Sequence, residues 1–195
     1  MNRLFGPIPS SALHLVVDMQ ELFRSHPEWG TQSVTTIIPP IQRLLAARPE
    51  NAFFSRFIPP QHADQANGTW RRFYRRWSSV TLDRLDPMQI EIVHELRPWA
   101  KRVADKPVYS ALANAELKDA AVAAGTVILT GAETDVCVLA TAIGAVEEGL
   151  RVILAADALT SASQACHAKA LDILHDRLDE QIEVATVEQI ITTWK

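Results

Sequence analysis

The chain of 195 residues contains 48% hydrophobic and 22% charged residues, which is typical of a globular protein and predicts one domain, residues 1–195, with a hydrophobic core. Its formal charge of −4 argues against a nucleic-acid partner, and no apolar run reaches the ~20 residues of a membrane-spanning helix. Two cysteines are too few for a disulfide framework or a thiolate zinc site, and the N-terminal apolar stretch is too short for a signal peptide, so we expect a cytoplasmic protein.

Short β-rich runs alternate with helical patterns along the whole chain. The six predicted strands, in chain order, are residues 13–17, 51–57, 102–109, 126–130, 151–155 and 183–186. The predicted helices are residues 33–47, 115–124, 136–148 and 161–178 with a short terminal helix, and Gly125 and Gly149 close two of them. This alternation predicts a Rossmann-like α/β fold, in which a six-stranded, mostly parallel sheet is the middle of three layers, with helices on both faces.

Residues 58–99 break this alternation and are predicted to form an irregular insertion within the one domain. The run WRRFYRRW, residues 70–77, places aromatic residues at i, i+3, i+4 and i+7 and arginines on the other side, a pattern that predicts an amphipathic helix. We expect this helix to pack on the core or on another subunit, with its arginines in solvent. The alternative is a lid whose Trp77 or a nearby arginine lines the pocket and selects an anionic substrate.

Ligands of an open parallel sheet bind beyond the carboxyl ends of its strands, where Asp18 and Lys106 are predicted to lie. Asp18 directly follows the apolar strand LHLVV, and a carboxylate in that buried position needs a partner. A helix cap is the alternative role for Asp18. Lys106 precedes Pro107 in a weak strand, a position usual for a solvated lysine, but a cysteine and an aspartate acting together would need such a cation to hold the thiolate.

Cys137 follows the fourth predicted strand, after a turn that contains Gly131. We expect Thr134 or Asp135 to cap the next helix, with Cys137 in its first turn. The helix N-terminus would lower the pKa of the thiol below its usual ~8.5, and its free N–H groups would bind the negative oxygen of a tetrahedral intermediate. A buried structural cysteine is the alternative, and it is our interpretation of Cys166, which is predicted to lie in the middle of a helix.

Three motifs resemble those of the isochorismatase-like cysteine hydrolases, the superfamily that includes nicotinamidase and N-carbamoylsarcosine amidase. VVDMQELF, residues 16–23, is similar to the family's aspartate motif, and DKPVYSAL, residues 105–112, to its lysine motif. GAETDVCVLATAIGAVEEGLRVILAADALTS, residues 131–161, is similar to the long cysteine motif. The resemblance runs from about residue 13 to residue 190 and is weakest over residues 58–99.

The resemblance implies a catalytic triad of Asp18, Lys106 and Cys137, with Cys137 as the nucleophile. It also implies a cis peptide bond between Ala132 and Glu133, which would direct the backbone N–H groups of Glu133 and Cys137 at the oxyanion. Asp18 would move the protons and Lys106 would stabilise the charged pair, while the substrate passes through a thioester.

The resemblance also implies which side chains contact the substrate. Phe23, Tyr109 and Val136 stand beside triad residues in the sequence, at positions where the family places residues that line the pocket. Trp77 is predicted to line it as well. Arg56, at the end of the second strand, is predicted either to anchor a substrate carboxylate or to pair with a surface acid.

Neither a metal nor another cofactor is expected. Nicotinamidases carry an Asp-x-His metal motif just after the second strand, and here Phe57 and Pro59 stand at those positions. His62 alone is more typical of a structural or solvated histidine. The missing ligands argue against nicotinamidase activity, and the presence of Cys137 argues against a true isochorismatase, whose relatives lack a cysteine there.

We therefore predict a hydrolase that cleaves a C–N bond of a small amide, ureide or carbamoyl substrate. Ester or thioester hydrolysis by the same nucleophile is one alternative, and a non-catalytic binding module on the same scaffold is another. The expected partner is a small-molecule substrate, with neither nucleic acid nor membrane involved. A homo-oligomer, a dimer or tetramer, is expected because relatives commonly form one.

Overall fold

The computed structural model describes residues 4–195, so the first three residues of the predicted domain lie outside the described part. Within it, six strands form one sheet: β1 Leu13–Val17, β2 Ala52–Phe57, β3 Val103–Lys106, β4 Thr126–Ala132, β5 Arg151–Thr160 and β6 Ile182–Ala185. Their order is β3-β2-β1-β4-β5-β6, and every neighbouring pair is parallel. The predicted α/β class is confirmed, and the sheet is parallel throughout rather than mostly so.

Helices cover both faces of this sheet. They are α1 Glu21–Ser25, α2 Ser33–Ala47, α3 Thr69–Arg76, α4 Ala115–Ala124, α5 Leu139–Glu147, α6 Gln164–Arg177 and α7 Val187–Thr193. The buried side chains of α1, α2, α3 and α7 belong to one hydrophobic cluster, and those of α4, α5 and α6 pack in a second cluster on the other face. The predicted three layers are therefore confirmed. No helix within residues 4–195 is long and apolar enough to cross a membrane.

The apolar patterns explain why these segments form these elements. All five residues of β1 are buried, and successive side chains alternate between the two clusters, with Val16 in one and Leu15 and Val17 in the other. A strand buried on both faces must be apolar throughout, as LHLVV nearly is. The next long helix, α2, turns one apolar face to the sheet, with buried residues Val34, Ile37, Ile38, Ile41, Leu44 and Leu45.

Both ends of α4 also follow from the sequence. The side chain of Asn114 accepts the Leu117 N–H at 3.2 Å and so caps the N-terminus. Gly125 ends the helix with a φ of 67°, in the left-handed region that glycine adopts without strain. The prediction that Gly125 is the helix stop is confirmed.

The segment 58–99 packs on the α2 face of the sheet and contains α3 together with four short 3₁₀ turns. Tyr74 of α3 is buried, while Trp70, Phe73 and Trp77 pack against the core cluster. The four arginines of this helix are exposed. The predicted amphipathic helix is confirmed, with its aromatic side on the core and its arginine side in solvent.

The carboxyl ends of β3, β4, β5 and β6 differ from the prediction, and that of β4 matters most for the site. The strand β4 continues two residues beyond its predicted end, to Ala132. Gly131, at φ 109°, approaches β1 so closely that a Cβ there would lie 2.1 Å from the Val17 carbonyl oxygen. Only glycine allows this approach, which brings the segment after β4 next to the residue that follows Val17.

Candidate active site

Asp18 is fully buried immediately after β1. Its φ of 48° lies in the left-handed region, which turns the chain out of the strand. Its N–H donates to the Ser55 carbonyl oxygen at 3.2 Å, and Ser55 Oγ donates to Asp18 Oδ1 at 2.6 Å. The carboxylate is therefore oriented by the neighbouring strand β2, and no side chain caps α1. The alternative role of Asp18 as a helix cap is wrong.

Lys106 is the last residue of β3 and is 1% exposed. Its Nζ donates to Asp18 Oδ2 at 2.6 Å, to the Val108 carbonyl oxygen at 3.0 Å and to Cys137 Sγ at 3.6 Å. An ammonium group has three N–H donors, so this set of acceptors accounts for all of them. Nζ also lies 5.2 Å from the centroid of the Phe57 ring, within range of a cation–π contact. Lys106 is thus a buried link between the carboxylate and the thiol.

Cys137 lies in a π-helical turn, Thr134–Val138, between β4 and α5. The carbonyl oxygen of Glu133 accepts the Val138 N–H at 3.0 Å. The peptide bond between Ala132 and Glu133 is cis, as the resemblance implied. Cys137 is 4% exposed and lies beyond the carboxyl end of β4.

The prediction that Thr134 or Asp135 caps the helix containing Cys137 is wrong. No side chain caps the turn. Thr134 instead donates its hydroxyl to the Thr160 carbonyl oxygen at 3.1 Å, and the Asp135 N–H donates to Ser161 Oγ at 3.4 Å. The two residues tie the turn to the end of β5, which runs further than predicted.

The ionisation of the three groups follows from their burial and charges. Burial raises the pKa of the Cys137 thiol well above its usual value, and the negative charge of Asp18 raises it further, against an opposing effect of Lys106. Burial is the largest effect and acts to lower the pKa of Lys106, but Asp18 and Cys137 together outweigh it, and the net shift is upward. The predicted lowering of the cysteine pKa is wrong, because burial and the negative charge of Asp18 outweigh the opposing effect of Lys106. The group therefore holds an ion pair of Asp18 and Lys106 beside a neutral thiol.

A cavity of about 290 Å³ opens above Cys137. Six aromatic side chains form most of its wall: Phe23, Trp29, Phe57, Phe73, Trp77 and Tyr109. Trp29 lies at the centre of this group, 5.8 Å from Phe73 and 6.1 Å from Trp77 between ring centroids. The pocket is therefore a mostly apolar space with the thiol at its floor, the usual form of a small-molecule site.

The structure places four of the five predicted substrate contacts around this cavity. Phe23, Trp77, Tyr109 and Val136 line it together with Cys137. Phe23 and Val136 come from α1 and from the π-helical turn, and Trp77 follows the last residue of α3.

Arg56 is the fifth predicted contact, and the structure places it elsewhere. Its guanidinium donates to Asp105 at 2.8 and 3.0 Å and to Glu91 at 3.3 Å. It does not line the cavity. The prediction that Arg56 anchors a substrate carboxylate is wrong, because surface acids already occupy the guanidinium, and the alternative of a surface ion pair is the one observed.

The residues at the position of the nicotinamidase metal motif do not fit a metal ion. Phe57 ends β2 with an aromatic ring, and Pro59 has no donor side chain. His62 lies 3.2 Å from Asp83 and has no further acid or histidine in a metal-binding group. Within residues 4–195, no three histidine, cysteine, aspartate or glutamate side chains come together as a metal site.

Cys166 differs from the predicted buried residue in the middle of a helix. It is exposed and lies in the first turn of α6, where its N–H donates to Ser163 Oγ at 3.3 Å. The prediction failed because α6 begins at Gln164, three residues later than expected. The two cysteines therefore provide a natural contrast, one buried at the site and one on the surface.

Sequence reasoning missed Ser55 and several residues of the cavity wall: Glu28, Trp29, Phe57, Phe73 and Ala162. Ser55, which holds the Asp18 carboxylate, stands in the apolar strand AFFSRF, and a serine at a buried strand position was a usable signal. Trp29 lies in the loop between α1 and α2, and no pattern in the sequence indicates that it faces the cavity.

Known proteins resemble both the sequence and the fold. The isochorismatase domain family matches residues 12–189. A cysteine hydrolase from Pseudomonas syringae pv. phaseolicola 1448A is 26% identical, with a TM-score of 0.82 over 99% of this chain and 96% of that one. N-carbamoylsarcosine amidase from Thermoplasma acidophilum is 21% identical (TM-score 0.69, 92% and 96% covered), and pyrazinamidase of Pyrococcus horikoshii in complex with zinc is 20% identical (0.66, 92% and 99%). No curated protein sequence matches the chain significantly.

Proposed function

Because the chain belongs to the isochorismatase-like hydrolase family, we propose that it is a cysteine hydrolase that cleaves a C–N bond of a small amide, ureide or carbamoyl compound. One observation carries this proposal: Lys106 Nζ contacts both Asp18 Oδ2 and Cys137 Sγ, at 2.6 and 3.6 Å, at the floor of the cavity. A nucleophile and an acid–base group that share contact with one cation are an arrangement suited to covalent acyl transfer. Two structural relatives named as amidases support the choice of a C–N bond.

The proposed reaction begins with the neutral thiol. Asp18 takes the proton of Cys137 as the sulfur attacks the carbonyl carbon, a C–S bond forms and the C=O electron pair moves onto oxygen. The backbone N–H groups of Glu133 and Cys137 are proposed to stabilise this oxyanion. Throughout, Lys106 keeps its proton and offsets the negative charge that moves between sulfur and carboxylate.

Collapse of the tetrahedral intermediate breaks the C–N bond. The amine leaves with the proton that Asp18 received from Cys137, and a thioester remains. Water then attacks the thioester with Asp18 as the base, which releases the carboxylic or carbamic acid and returns the proton to the thiol. The raised pKa of Cys137 suits this sequence, because the same proton is needed on the departing amine.

The test is turnover of a panel of small primary amides, ureides and carbamoyl compounds, each compared with the matched ester. We expect ammonia or amine release by the native protein and an acyl adduct on Cys137 in mass spectra of the quenched reaction. Cys137→Ala should reduce turnover to background with little change in Tm. Cys166→Ala is the matched control, since that thiol is exposed and distant in sequence.

Two outcomes would contradict the proposal. Full activity of Cys137→Ala would exclude Cys137 as the nucleophile. Turnover of the esters with no ammonia or amine released from any matched amide, ureide or carbamoyl compound would leave the nucleophile in place but reject the C–N specificity.

A further inference from the structure

The charged residues of the cavity wall are both acidic. Glu28 and Glu133 line the cavity together with the six aromatic rings, and the wall contains no lysine, arginine or histidine from residues 4–195. Below the wall, the positive charge of Lys106 is matched by Asp18 at 2.6 Å. The cavity therefore carries a net negative charge.

Neither carboxylate has a cationic partner within the described part of the chain. Glu133 Oε1 accepts the Ala162 N–H at 2.8 Å, and Glu28 accepts a hydrogen bond from the Ser79 hydroxyl. Burial raises the pKa of the Glu133 carboxyl, in spite of the hydrogen bond from Ala162. Glu133 is half-buried without a counterion, so a cation that enters the cavity stabilises its carboxylate. Glu28 is exposed, and its attraction for the same cation is more strongly screened by water.

The arginines of α3 do not supply that cation. Arg72 and Arg76 lie in a separate surface groove with Phe73 and Tyr109. The guanidinium of Arg76 lies 5.1 Å from the centroid of the Trp77 ring. No arginine of this helix lines the cavity, which argues against the alternative that such an arginine selects an anionic substrate, whereas Trp77 does line it.

We propose that the cavity selects substrates that carry an alkylammonium group, quaternary or protonated, a few bonds from the reacting carbonyl. The faces of aromatic rings attract cations through their quadrupole, and several rings around one cavity are the usual binding site for a quaternary ammonium. Glu28 and Glu133 add a charge of the right sign to the same wall. The proposal deepens the proposed function, on which it rests for the reacting end of the substrate.

The volume is consistent with such a molecule. At about 290 Å³, the cavity lies at the lower end of the ~300–1,000 Å³ range of small-molecule sites, so it suits a small ligand. A primary amide joined to a trimethylammonium group by a short alkyl chain is of this size. It would fill the cavity with its carbonyl at Cys137 and its cation among the rings.

The test compares three ligands of nearly equal shape: a trimethylammonium alkyl amide, its uncharged tert-butyl isostere and the amide that carries a carboxylate at the same place. Binding is measured by titration calorimetry to the Cys137→Ala variant, which cannot turn the ligands over. We expect Kd for the trimethylammonium amide to be at least ~10-fold lower than for the tert-butyl amide, with the carboxylate weakest. Equal or weaker binding of the trimethylammonium ligand overturns the proposal.

Two isosteric substitutions test whether the carboxylates of the cavity wall cause the preference for the cationic ligand. Glu28→Gln and Glu133→Gln should each reduce the ratio of the two Kd values several-fold, whereas Glu50→Gln, at an exposed glutamate outside the cavity, should leave it unchanged. An unchanged ratio in both wall variants would reject the role of the carboxylates.

The outcome for binding is independent of the outcome for catalysis. If Cys137 forms an acyl adduct with the neutral amide and the cationic ligand has no advantage, the proposed function stands and the cation proposal falls. If the cationic ligand binds tightly to Cys137→Ala while the native protein forms no adduct with any amide or ester, the cation proposal stands and the hydrolase mechanism falls.

Discussion

Replacing Asp18 with asparagine should separate two properties of Cys137, the ease of its ionisation and its ability to turn over a substrate. The Asp18 carboxylate raises the pKa of the neighbouring thiol, and Lys106 opposes it. Asparagine keeps one oxygen, which can accept from Lys106 while the amide N–H donates to the Ser55 hydroxyl, but it removes the negative charge. We therefore expect Asp18→Asn to lower the pKa of Cys137 while it abolishes the acid–base step.

The distances set the size of the effect. Since Lys106 Nζ lies 2.6 Å from Asp18 Oδ2 and 3.6 Å from Cys137 Sγ, the two acceptors are at most about 6.2 Å apart. At an effective dielectric constant of ~20, a carboxylate and a thiolate at that separation repel by about 3 kcal/mol. Removing the carboxylate should raise the ratio of thiolate to thiol on the order of 100-fold at a given pH. Turnover should fall by ~10²–10⁴-fold, the usual contribution of a general acid–base group.

The assay follows thiolate formation by ultraviolet absorbance and by the pH dependence of alkylation, in a Cys166→Ser background so that one thiol titrates. Turnover of an identified substrate is measured on the same preparations. An unchanged or higher pKa of Cys137 in Asp18→Asn would refute the electrostatic reasoning. Retained turnover would refute the assignment of Asp18 as the acid–base group.

Further predictions concern the groups that support the site and the core. Ser55→Ala removes the donor to Asp18 Oδ1 at 2.6 Å. Because a hydrogen bond to a charged group contributes about 2 kcal/mol, the free energy of unfolding measured in urea should fall by that amount, and kcat should fall by about 10-fold with KM unchanged. A fall in KM with kcat unchanged would contradict the positioning role. His14 is fully buried, with Nε2 2.9 Å from Thr130 Oγ1, and burial lowers its pKa from 6.5 to about 3. Between these pH values the unfolded chain binds a proton that the folded chain does not. The free energy of unfolding should therefore fall by about 1.4 kcal/mol per pH unit as the pH drops from 6.5 toward 3. His14→Asn should show a shallower loss over that range in denaturation curves, and an identical slope would show that His14 is not the group responsible.

The outline of the site could be predicted because it depends on local sequence and on a general rule of parallel sheets. Asp18 follows an apolar run, and Cys137 follows another with a glycine turn between, so both were expected at one edge of the sheet. The amphipathic helix at residues 70–77 was predicted from the spacing of its aromatic residues. In each case a short stretch of chain carries the whole signal.

The ionisation state of the site could not be predicted in the same way. The helix N-terminus indicated a lowered pKa for Cys137, but its solvent exposure decides the sign, and exposure depends on how the turn packs beneath the aromatic wall. The ion pair of Arg56 could not be predicted either, because its partner Asp105 lies on the neighbouring strand. Contacts between strands depend on register, which a single sequence does not state.

By itself, the sequence determined the alternation of strands and helices and the edge at which the chemistry lies, because periodicity and strand ends are local properties. It also pointed to Cys137 rather than Cys166. Only the tertiary structure decided that Lys106 is buried between Asp18 and Cys137, and that Glu28 and Trp29 face the same cavity as the thiol. These groups are far apart along the chain, and the energy of a charge depends on which neighbours and how much water surround it after folding.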